Sequence, residues 1–150
     1  MQDELLLQQI NRFYSLWRES TLMYEEWSKQ RGLSYNSVMV LYAIHEHPDG
    51  CTQKMIAQQW LLPKQTIHTI LKDFERRGLL LLAPTPADKR GRLILPTPAG
   101  AEYARQIADE LRAFELYIVR HMGLPQITAL NDGLARFVEL FHEAGGDSDA

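Results

Sequence analysis

Two short helical runs separated by only three residues constrain this chain more than any other feature. The run Gln53–Trp60 sits behind Thr52, a residue type that caps helices, with Met55, Ile56 and Ala57 expected inward. Leu61-Leu62-Pro63 breaks it, and Pro63 suits the first turn of a new helix that runs to Arg77, with Gly78 as its stop. Beyond Gly78 the period changes. Leu79–Pro84 and Arg92–Leu95 are short apolar runs, and between them Thr85–Gly91 is a loop rich in proline and charge. Two short strands around such a loop read as an open hairpin.

A helix-turn-helix followed by a hairpin is the pattern of a winged helix. Longer helices flank it. Residues 3–30 place Leu6, Ile10, Phe13, Trp17, Tyr24 and Trp27 at helical spacing, and Gly32 ends the run. Asn36 is read as the cap of a second helix reaching about His47, with Val38, Leu41, Tyr42 and Ile44 inward, before the turn Pro48-Asp49-Gly50. Thr97-Pro98 opens a helix carrying Tyr103, Ile107, Leu111, Phe114 and Ile118 to near Gly123, and Pro125 opens a last one carrying Ile127, Leu130, Leu134, Phe137 and Phe141. The predicted fold is therefore mostly α with a small β-hairpin wing, in one domain over residues 1–150. The winged helix-turn-helix occupies 35–97, and residues 1–34 and 98–144 form flanking helices. Residues 145–150 are expected to be a disordered tail. The flanking apolar faces exceed what one small domain covers, so a partner subunit is expected to cover them.

Net charge is −3, which taken whole argues against nucleic acid as a partner. Its distribution argues the other way. Residues 52–92 hold eight basic and three acidic side chains, a local +5, while the rest of the chain holds eight basic and sixteen acidic ones. A phosphate lattice responds to a local basic face more than to total charge. No apolar run approaches the roughly 18 residues of a membrane span, so no membrane partner is expected and the protein reads as soluble and cytoplasmic. The single cysteine, Cys51, excludes an internal disulfide framework. A phosphate-binding glycine loop, a His-Glu-x-x-His pair, a nucleophile elbow and a Cys-x-x-Cys pair are all missing from the sequence, so neither an enzyme nor a cofactor or metal site is expected.

The helix over 63–77 turns Ile67, Ile70, Leu71 and Phe74 to the core and Lys64, Gln65, His68, Thr69 and Lys72 outward. Glutamine can pair with an adenine edge through two atoms, lysine can reach guanine or phosphate, and threonine offers a hydroxyl and a methyl. Together with Thr66 these residues form a candidate DNA-reading face, and Thr52 and Lys54 are candidate contacts to the DNA backbone. The competing reading is a solvated face. In the hairpin loop Asp88, Lys89, Arg90 and Arg92 gather three cations, and Asp88 is spaced to pair with Arg90 and hold it outward for a narrow minor groove. An ordinary charged loop tip is the competing reading there.

With these segments in order, the sequence resembles the MarR (multiple antibiotic resistance regulator) family over about residues 5–142. The resemblance is carried by Ile56-Ala57, Leu62-Pro63-Lys64-Gln65-Thr66-Ile67, the stretch from Leu71 to Leu79, Asp88-Lys89-Arg90 and Thr97-Pro98-Ala99-Gly100. It implies a sequence-specific, DNA-binding transcriptional regulator, a repressor released by a small-molecule ligand, which binds a pseudo-palindromic operator in double-stranded DNA as a homodimer. The helix at 63–77 would lie in the major groove, and Asp88 would brace Arg90 at the minor groove. A small aromatic or phenolic effector is a further implied partner. Trp17, Tyr24 and Tyr42 are aromatic candidates for its pocket, against the plainer reading of core. Some relatives sense oxidants through an N-terminal cysteine; Cys51 lies elsewhere, and proximity to a helix start is the one hint of a reactive thiol. The chain departs from the family pattern in four places: Leu61 stands where glycine is usual, Pro63 where a small polar cap is usual, Thr69 where a basic residue is common, and Pro96 replaces a leucine. Pro96 lacks a strand donor and is expected to fray the second strand of the hairpin. The rival function is a winged-helix protein–protein interaction module that does not read DNA sequence.

Overall fold

Ser34, and not Asn36, starts the second helix: its Oγ accepts the Ser37 backbone N–H at 3.1 Å, with Ser34 itself in an extended conformation. Asn36 falls inside the first turn, two residues too late to serve. In the computed structural model, which describes residues 1–85 and 92–146, the elements run α1 (Gln2–Lys29), α2 (Tyr35–Glu46), β1 (Cys51–Thr52), α3 (Gln53–Trp60), α4 (Lys64–Arg76), β2 (Leu80–Pro84), β3 (Arg92–Pro96), α5 (Pro98–Met122) and α6 (Leu124–Gly146). The mostly helical winged-helix class expected from the sequence is the observed one. No helix among the described residues is long and apolar enough to cross a membrane.

The chain divides into two compact units, Met1–Ala108 and Asp109–Ala150. The first holds α1 to α4, the sheet and the opening turns of α5. Its core is built from α2 (Val38, Val40, Leu41), α3 (Ile56), α4 (Ile67, Leu71, Phe74) and the sheet (Cys51, Leu80, Ile94). Met55, expected inward, is 41% exposed, and Ile70 is half-buried. Ile56 is the buried residue of α3. The second unit holds the rest of α5 and α6, and no residue of α6 is buried in the single chain. The tail expected at 145–150 lies partly in α6, which extends to Gly146; residues 147–150 lie outside the described residues.

The sheet has three strands in the order β1-β3-β2, one more than the sequence suggested. β1 pairs antiparallel with β3 through Cys51↔Ile94 and Thr52↔Leu93, and β2 pairs with β3 from Leu80↔Pro96 to Pro84↔Arg92. Pro96 does not fray the strand. The ladder continues past it, with the Thr97 N–H donating to the Leu79 carbonyl at 3.1 Å, so Leu80 and Pro96 form a pair that exchanges no hydrogen bonds. The Pro96 nitrogen faces the other edge, beyond the end of two-residue β1, where no donor is required.

Helix ends follow the local chemistry. Gly78 at φ 74° closes α4 with two backbone bonds, Gly78 N–H to the Glu75 carbonyl and Leu79 N–H to the Phe74 carbonyl, both 3.0 Å. The start of α5 is fastened to this same corner. The Thr97 hydroxyl donates to the Gly78 carbonyl at 2.7 Å and accepts the Gly100 N–H at 3.1 Å, capping α5 as the sequence predicts.

Candidate nucleic-acid interface

α4 is strongly two-faced. Ile67, Leu71 and Phe74 are at most 1% exposed, while Lys64, Gln65, His68, Thr69 and Lys72 all lie on the exposed side and Thr66 is half-buried. The structure thus places five of the six predicted recognition-helix residues on one open face. Thr69 Oγ1 donates back to the Gln65 carbonyl at 3.0 Å, which commits its hydroxyl hydrogen and leaves its lone pairs and methyl for a ligand. Lys72 Nζ stands 3.5 Å from Glu75 Oε1, an exposed pair that exchanges readily for a phosphate. Arg76 and Arg77 are engaged with the helix itself through Asp73, at 3.5 and 3.6 Å, and the Arg77 guanidinium lies near the rings of Phe74 and Tyr103.

The N-terminus of α4 is electrostatically unusual. Pro63 occupies the cap with no side-chain hydrogen bond, and the first turn contains no acid. Helix starts ordinarily attract carboxylates; here Lys64 adds a cation to the partial positive charge already there. The first backbone N–H groups are left to solvent or to an anion such as phosphate. Gln53, the first residue of α3, donates from Nε2 to the Lys64 carbonyl at 2.9 Å and so ties the starts of the two helices together. Sequence reasoning missed Gln53, because a contact spanning eleven residues leaves no periodic signal.

Leu61, in the turn, adopts φ 53° and ψ 38°. Among the described residues it is the non-glycine residue with a positive φ, a conformation costing about 1–2 kcal/mol for an L side chain. The residue is 87% exposed. Thr52 spends its oxygen capping α3 by accepting the Met55 N–H at 3.2 Å, while Lys54 is exposed in the first turn of α3. Arg92 is exposed at the first position of β3. Asp88, Lys89 and Arg90 lie outside the described residues.

The aromatic candidates for an effector pocket are not brought together. Trp17 is 59% exposed on α1, Tyr24 packs on Tyr35 at 5.3 Å between centroids, and Tyr42 meets Trp60 edge-on at 5.8 Å. A separate open cleft of about 380 Å³ lies between the end of α1 and the start of α2, lined by Glu25, Lys29, Leu33, Ser34, Tyr35 and Asn36. Among the described residues no group of three or more His, Cys, Asp or Glu side chains could hold a metal ion.

Cys51 sits on β1, 1% exposed, and burial pushes its thiol up to about 11, opposite to the lowering that a helix start would give. Folding therefore favours the protonated thiol. That stabilisation is complete below the unfolded thiol's pKa near 9 and is lost as pH rises towards 11. Native protein is accordingly expected to react with a disulfide reagent at pH 8 far more slowly than protein in urea, by about a hundredfold; equal rates would show the thiol to be open.

Comparison with known proteins follows the geometry. Residues 31–91 match the model of the MarR family. The chain is similar to NMB1585, a MarR family regulator from Neisseria meningitidis, at 26% identity over 93% of this chain and 98% of that one, with a TM-score of 0.79. It shares the fold of S. aureus MepR, solved as a complex with DNA, at 17% identity over 87% and 96% of the two chains and a TM-score of 0.72. The same holds for Streptococcus pneumoniae FabT in complex with DNA, at 19% identity over 92% and 99% and a TM-score of 0.68. A comparison with curated proteins gives no match.

Proposed function

We propose that this chain is a winged-helix protein of the MarR family, a DNA-binding transcriptional regulator acting on an inverted-repeat operator as a homodimer. One observation carries the reading: α4 buries Ile67, Leu71 and Phe74 on one face and holds Lys64, Gln65, His68, Thr69 and Lys72 open on the other, beside an uncapped, acid-free helix start. MepR and FabT, which share the fold, have both been solved with DNA. In this reading α4 enters the major groove, Gln65 pairs with an adenine edge, and Thr66, half-buried, borders the contact. Lys54 and Lys64 meet phosphates, with Thr52 beside them. Asp88 braces Arg90 at the minor groove, and Lys89 and Arg92 add to the field there.

Supporting the dimer are exposed apolar side chains on α1, among them Leu6, Ile10 and Trp17, and on α6, among them Leu130, Leu134 and Phe137. Such faces are covered in solution by another subunit. Residues 1–34 and 98–144 are the dimerisation helices of this reading, and 35–97 the DNA-reading part. Repression, relieved by a small aromatic or phenolic effector, follows the family resemblance; the cleft lined by Lys29 and Tyr35 has the volume of a small-ligand site.

The deciding experiment is selection of bound duplexes from a random library at two salt concentrations. An enriched inverted repeat, bound with steep salt dependence, is the expected result. Binding that follows salt but enriches no sequence would favour the interaction-module alternative. With the operator in hand, Gln65→Ala is expected to reduce discrimination at one base pair by about 1–3 kcal/mol while leaving the slope of affinity against salt unchanged. Unaltered selection by the variant would remove Gln65 from the groove.

A further inference from the structure

The turn between α3 and α4 carries a side chain that the fold does not use. Leu61 is held in the left-handed region, at φ 53°, where glycine or asparagine would sit with less strain, and the residue is 87% exposed and adds nothing to the core. Beside it, Trp60 keeps its indole N–H buried with no hydrogen-bond partner among the described residues. Two unfavourable features in adjacent residues mark a turn shaped by something other than stability.

The position says what that is. α4 begins three residues after Leu61, at most about 10 Å along the chain, and the N-terminal residues of a recognition helix are those that meet base edges. Those edges present hydrogen-bonding groups and one apolar group, the 5-methyl of thymine. A leucine has nothing to offer the former. We propose that Leu61 is a specificity-determining residue of the DNA interface, packing its side chain on a thymine methyl at the margin of each half-site. The inference rests on the DNA-binding reading above and extends it to the base class that the turn selects. The strained conformation is then the means of aiming an apolar group out of the protein, next to the polar groups of Lys64 and Gln65.

The test uses the full-length protein, Leu61→Gly and Leu61→Asn variants, and the duplex obtained by selection. Each thymine in the duplex is replaced singly by deoxyuridine, which removes only the methyl. Both variants are expected to melt no lower than the parent, since either residue suits the left-handed turn, yet to bind the selected duplex about tenfold more weakly. One deoxyuridine position per half-site is expected to weaken the parent about fourfold, as for one methyl returned to water, and to leave both variants unaffected. A side chain with a merely structural role would move melting and affinity together. If the parent selects an operator and the variants bind it with parental affinity, or no deoxyuridine position separates parent from variants, the Leu61 assignment is overturned. If the parent selects no sequence at all, the DNA-binding reading falls first, and the two failures are told apart.

Discussion

Replacing Gly100 by alanine is expected to destabilise the protein by about 3 kcal/mol or more, lowering its melting temperature by about 10 °C for a chain of this size. A Cβ at position 100 would overlap the Leu79 carbonyl oxygen and lie 2.6 Å from its carbonyl carbon and 3.0 Å from its Cα. These are backbone atoms and cannot swing aside. Leu79 is held from two directions, its N–H on the Phe74 carbonyl and its carbonyl on the Thr97 N–H. Relief would require the start of α5 to lift from the corner where Thr97 bonds to Gly78. The control is Gly133→Ala in α6, where a Cβ meets nothing within 4 Å and the helix gains about 0.5–1 kcal/mol from the lost backbone freedom of glycine. Denaturant unfolding at one fixed protein concentration reads both. Parental stability in Gly100→Ala would mean that the close approach of α5 to Leu79 does not exist in solution.

The double reversal Lys64→Glu, Lys72→Glu is expected to weaken operator binding by a hundredfold or more at low salt and to flatten the dependence of log affinity on log salt by about 2, one for each phosphate contact removed. Both side chains are exposed, and the one ion pair lost, Lys72 with Glu75, is worth little to folding, so the melting temperature should stay within a degree or two of the parent. Fluorescence anisotropy of a labelled duplex across a salt series measures slope and affinity together. Parallel lines of equal height would show that this face of α4 does not meet DNA. The same experiment separates roles: lysine changes act on the slope, whereas Gln65→Ala acts on base choice alone.

The signals that could be read in the sequence were local ones. Thr52 before α3, Gly78 after α4 and Thr97 before α5 each act within a few residues, and the structure uses all three, while Pro63 stands at the cap of α4 and not in its first turn. The outward stripe of α4 was equally legible, because a 3.6-residue period sorts Ile67, Leu71 and Phe74 from Lys64, Gln65 and His68. Contacts made across the chain were not. β1 is two residues long and has no period of its own; it is a strand only because β3 lies beside it. Ser34 and Asn36 are both competent cap residue types two positions apart, and local sequence does not decide between them. Pro96 looked like a breaker because sequence does not reveal which edge of a strand its nitrogen faces. Leu61 drew notice as a departure from a family pattern, but its backbone angle and exposure belong to the folded turn.

The short strand β1 has a mechanical consequence. β3 is bonded on one side to β2 and on the other to Cys51 and Thr52, and Thr52 in turn caps α3, whose first side chain, Gln53, is bonded to the start of α4. A series of hydrogen bonds therefore runs from β3 to the start of α4. On the DNA-binding reading, these bonds would hold β3 and α4 at one spacing, as a calliper holds a set opening. In a DNA-bound protein the span between the two grooves would be dictated by the protein, and the duplex would have to flex to match it. Operators would then differ in affinity through base steps that no side chain touches, according to how easily each step bends.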